Sequence, residues 1–71
     1  MYDVVTVEHT KAGYRITMAD EVRDPNVKLS DYIAPDVVGV YVQDVATGEV
    51  VAEEWGTVEH RHDFFFRKRS K

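Results

Sequence analysis

The chain of 71 residues contains no cysteine. Disulfides, thiolate metal sites and thiol nucleophiles are therefore excluded, and a reducing compartment is the compartment this composition suits. Serine is nearly absent: Ser30 and Ser70 are the only two, with no G-x-S-x-G around either and no glycine-rich loop before a helix to hold phosphate. No apolar run approaches the roughly 18 residues of a membrane span, and Met1-Tyr2-Asp3 opens neither a basic nor an apolar leader, so a cytoplasmic protein with no membrane partner is expected. Both prolines, Pro25 and Pro35, fall in one segment, which marks it as the place where regular structure is interrupted.

What is present is β-branched and aromatic residues in short runs. Residues 37–55 (VVGVYVQDVATGEVVAEEW) hold two such runs around the break Ala46-Thr47-Gly48-Glu49, which reads as a hairpin. Alternation places Val38, Val40 and Val42 on one side of the first strand and Val37, Gly39, Tyr41 and Gln43 on the other. Residues 44–50 (DVATGEV) resemble the D-x-x-T-G-x-V turn of β-propeller blades. Over seven residues that occur once, the likeness implies turn chemistry only, because one blade buries too little to stand alone.

Residues 2–8 (YDVVTVE) read as a strand with both faces partly covered, and residues 14–20 (YRITMAD), with Tyr14, Ile16 and Met18 on one face, as a half-buried strand. Gly13 between them supplies a turn, giving a second hairpin over 2–20. Residues 21–36 break the alternation. Asp24 at an N-cap before Pro25, a second cap at Ser30 and the spacing of Leu29, Tyr32 and Ile33 predict at most a turn or two of helix in a loop lying over the sheet. Residues 58–66 (VEHRHDFFF) alternate again and predict a fifth strand. The expected fold is all-β or β-rich α+β: a small antiparallel sheet of about five strands in one domain over 1–66, followed by a tail over 67–71.

Charge divides the same way. Residues 1–66 carry 13 acidic and five basic side chains, a net −8, while Arg67, Lys68, Arg69 and Lys71 put four positive charges in the tail. An acidic body repels nucleic acid and suits a basic partner surface.

Four constellations carry candidate chemistry. His60 and His62 on a strand would lie on one face, about 6–7 Å apart, and with His9 from a neighbouring strand would approach the ligand number zinc requires; against this, they read as ordinary polar strand positions. Phe64, Phe66, Arg67, Lys68 and Arg69 offer rings for bases and cations for phosphate, though aromatics that enter a core before a solubilising terminus look the same. Tyr41, Trp55 and Phe65 are rigid aromatics suited to a protein interface, or to cross-strand packing that stabilises the hairpin. Carboxylate pairs such as Asp20 with Glu21 and Glu53 with Glu54 sit where turns and solvated strand faces are expected, and a chain this short builds a deep pocket with difficulty, so no enzyme and no cofactor are expected.

The reading that fits best is a non-enzymatic protein-interaction module of the style of bacterial or phage accessory proteins. A core this small gains from self-association, which points to a homodimer. A nucleic-acid-associated protein is the alternative, and a histidine-based metal domain the second alternative.

Overall fold

In the computed structural model, which describes residues 1–66, the chain forms β1 (Tyr2–Thr10), β2 (Gly13–Val22), a 3-10 turn (Leu29–Tyr32), β3 (Val37–Asp44), β4 (Val50–Trp55) and α1 (Val58–Phe66). The strands make one antiparallel sheet in the order β2-β1-β3-β4. Two hairpins thus join through their first strands, β1 against β3, leaving β2 and β4 as the edges.

Turn chemistry sets both hairpins. Gly13 and Gly48 take φ of 127° and 77°, values that side chains with a Cβ resist. In the β3–β4 turn the Gly48 N–H donates to the Asp44 carbonyl at 2.7 Å, and the Ala46 N–H donates to the Asp44 carboxylate at 2.8 Å. The D-x-x-T-G-x-V likeness therefore corresponds to a real local structure, with Asp44 as its organiser.

Alternation along the central strands builds two small cores, one on each side of the sheet. Val4, Val40 and Val42, all fully buried, meet Val27, Leu29 and Tyr32 of the 21–36 segment on one side. On the other side Val5, Val7 and Tyr41 meet Phe64 of α1. A bulge that skips Val38 in the pairing of β3 with β1 lets that residue pack with the Tyr41 cluster, although simple alternation puts it with Val40. Each core is a few valines capped by aromatics.

Residues 58–66 are helix, not the expected fifth strand. The Thr57 hydroxyl accepts from the His60 N–H at 3.1 Å, an N-cap, and Glu59 lies in the first turn, where the helix dipole favours an acid. His60 and Phe64, and likewise Arg61 and Phe65, are four residues apart and so share the side of the helix turned to the sheet. As a strand, the three successive phenylalanines would have been divided between two faces. As a helix, Phe64 and Phe65 both reach the same core.

The 21–36 segment follows expectation as a cover, with its single helical turn at Leu29–Tyr32. Asp24 closes a tight turn instead of capping a helix: its carboxylate accepts from the Asn26 N–H at 2.9 Å, and the Val27 N–H donates to the Pro25 carbonyl at 2.9 Å. Ser30 lies inside the 3-10 turn and not at its start.

Candidate functional site

The aromatic trio Tyr41, Trp55 and Phe65 is drawn into the fold by α1. Tyr41 is 8% exposed, and burial pushes its phenol above the ordinary value of 10.0, so the ring stays neutral at all moderate pH. Trp55 is half-buried, with its ring 5.6 Å from those of both Phe64 and Phe65. Phe65 is half-buried as well, with the Arg61 guanidinium over its ring at 5.4 Å. The Trp55 indole lies against Gly39, its direct partner in the β3–β4 ladder, and a Cβ at Gly39 would run into the six-membered ring. The second face of the central hairpin is covered by the chain's own helix.

A carboxylate fastens that helix to β4. Glu53 accepts from Arg61 Nε at 2.7 Å, from Arg61 Nη2 at 3.1 Å and from Trp55 Nε1 at 2.8 Å. The Arg61 hydrogen bond is the main reason its carboxyl lies below the ordinary 4.5; partial burial opposes, and the Trp55 donor assists.

The histidines meet differently from expectation. Two residues apart on a helix, His60 and His62 project about 200° apart around the axis and no longer share one face as on a strand. His60 instead meets His9, their rings 5.1 Å apart, and His9 stacks on Tyr14 at 4.9 Å. The Tyr14 hydroxyl donates to Asp63 Oδ2 at 3.0 Å and lies 3.2 Å from His60 Nδ1, so a proton on that nitrogen would be donated to the tyrosine oxygen. These groups, with His62 and Glu59, line an open cleft of about 550 Å³ between the β1–β2 turn and α1. Among the described residues no group of three or more His, Cys, Asp or Glu is placed to hold a metal ion.

Of the aromatic-basic segment, Phe64 is 9% exposed in the core and has no free face for a base. Phe66 ends α1, and Arg67, Lys68 and Arg69 lie outside the described residues. No helix among the described residues is long and apolar enough to cross a membrane.

Large apolar side chains left exposed include Met1, Ile33, Val45, Val51 and Val58, and on β2 Ile16 and Met18, two residues apart on one face. Tyr14 at the start of β2 is half-buried under α1, but every residue from Arg15 to Glu21 is exposed, including Ile16 at 54% and Met18 at 61%. Both stand on the α1 side of the sheet, opposite Val7 and Val5. The half-buried strand expected from the sequence is thus open over most of its length, since α1 covers the β1–β3–β4 part of the sheet and reaches β2 only at Tyr14. Sequence reasoning found Ile16 and Met18 as a face but not as a surface, because strand order, and hence which strand is an edge, has no local signature.

The chain was compared with known protein families, with curated proteins and with solved structures, and none matches.

Proposed function

We propose that this chain is a small non-enzymatic protein-interaction module that docks through the outer edge of β2. The observation that supports this reading is a ten-residue edge strand with seven successive exposed residues, two of them large and apolar. Natural edge strands are normally kept short, charged at the centre, bulged or covered, since their outward N–H and C=O groups template pairing with another chain. The opposite edge shows such protection: β4 is six residues long, carries Glu53 and Glu54 side by side and is crossed by Arg61 from α1. β2 has one such device, a bulge at Ala19, and charges at Arg15, Asp20 and Glu21, but its centre, Ile16, Thr17 and Met18, is uncharged and uncovered. Strand addition at this edge would satisfy the backbone and cover the apolar pair in one step.

The test is site-specific photo-crosslinking in the native host, with a photoreactive amino acid in place of Met18 and, as control, of Val51 on β4. Protein adducts from position 18 and not from position 51 are expected. Absence of any protein adduct from position 18 would overturn the reading.

A further inference from the structure

We propose that the β2 edge takes a second copy of the same strand, antiparallel, about a two-fold axis through Thr17. The proposal rests on the reading above that β2 is the docking edge, and names its occupant.

The strand is symmetric in the pairs it would make with itself. In its ladder with β1, β2 uses Gly13, Tyr14, Arg15, Ile16, Thr17, Met18, Asp20, Glu21 and Val22, with Ala19 skipped as a bulge. Thr17 is the middle rung. An axis there leaves four rungs on each side and sets Ile16 against the partner's Met18 and Arg15 against the partner's Asp20, each pair occurring twice; within the chain Arg15 already pairs with Glu8 and Asp20 accepts from the Tyr32 hydroxyl at 3.2 Å, so the contact between copies adds to these bonds and the apolar pair is its main content. A two-fold normal to the sheet keeps faces matched, and the intramolecular register agrees. Ile16 and Met18 stand opposite Val7 and Val5 on the α1 side, whereas Arg15, Thr17 and Asp20 stand opposite Glu8, Thr6 and Val4 on the other. Without the bulge at Ala19, an alanine would face Arg15 and the charges would miss. Shifting the axis by one rung removes the match: through Met18 it sets Ile16 against Glu21, and through Ile16 it sets Arg15 against Thr17. Opposed apolar pairs and opposed opposite charges are the pairings that stabilise neighbouring strands. The result is an isologous eight-stranded sheet with both α1 helices on one face and a stripe of Ile16 and Met18 from both copies between them.

Because the chain is free of cysteine, Thr17→Cys introduces a unique thiol on the axis, where directly opposed strand residues lie close enough for a disulfide. The expected result is that the unaltered chain sediments at twice its monomer mass. In addition, mild oxidation links Thr17→Cys into a dimer at least roughly tenfold faster than Val51→Cys, reflecting the local concentration of paired thiols. Thr17→Lys, which sets two like charges against each other on the axis and breaks no intrachain ion pair, should shift sedimentation toward monomer, a thermal melt reporting whether the variant folds. A chain that stays monomeric into the high micromolar range, or a dimer whose position-17 thiol oxidises no faster than the position-51 thiol, overturns the proposal. If position 18 then still crosslinks to another protein, the docking edge stands and only self-pairing falls. If it crosslinks to nothing, both fall.

Discussion

Gly39 and Trp55 show how little tolerance a fold this small has at single positions. The indole lies where a Cβ on Gly39 would be, and Phe64 and Phe65 pack against the ring, so it cannot swing away without opening the α1 core. Gly39→Ala should destabilise by about 1–3 kcal/mol through overpacking, read from denaturant unfolding, with a red shift of Trp55 emission in the folded state. Glu53 governs acid response at the same scale. Its folded carboxyl lies below 4.5, so on acidification the unfolded chain takes up the proton first. The stabilisation is therefore present above about pH 4.5 and is lost as pH falls through the lower folded value. Melting temperature should drop over that window, and Glu53→Gln should flatten the drop. An unchanged slope in Glu53→Gln would show that the Arg61 contact carries no net stability.

At the scale of elements, α1 is the part of the fold most exposed to a single hydrogen bond, because a nine-residue helix has little stability of its own. Thr57→Ala removes the cap and should cost about 1 kcal/mol, measured as a lower melting temperature, with Thr57→Ser close to neutral. The same element marks the limit of what the sequence discloses. Residues 2–20 and 37–55 carry alternation long enough to be unambiguous, and Gly13, Asp44 and Gly48 announce their turns, so both hairpins and the covering loop were legible. In residues 58–66 the spacings of two and of four coincide: His60, His62, Phe64 and Phe66 alternate, while His60 with Phe64 and Arg61 with Phe65 are also helical neighbours. Thr57 before an acidic first turn was the signal favouring helix, together with three consecutive phenylalanines that no half-exposed strand can place. That one reversal moved the candidate sites. It separated His60 from His62, brought His60 to Tyr14 and His9, and buried the aromatics that alternation alone would have left partly open.

The described residues measure 33 × 27 × 18 Å and place the valine-rich strands, β1 and β3, at the centre of the sheet with a cover on each face. The two covers act independently, since α1 and the 21–36 segment pack on opposite faces. Phe64→Ala, at about 3–5 kcal/mol, and Leu29→Ala, smaller because Leu29 is only half-buried, should therefore add when combined, as double-mutant unfolding would show. With α1 and the 21–36 segment covering the central strands, Ile16 and Met18 stay exposed along the β2 edge, where the proposed self-pairing would cover them. The measurement that tests this self-pairing most directly is amide hydrogen exchange, residue by residue, across a concentration series of the full chain. Protection that rises with concentration at the outward amides of β2, with β4 unchanged, is the predicted result; β2 amides that exchange at the same rate at every concentration would contradict it.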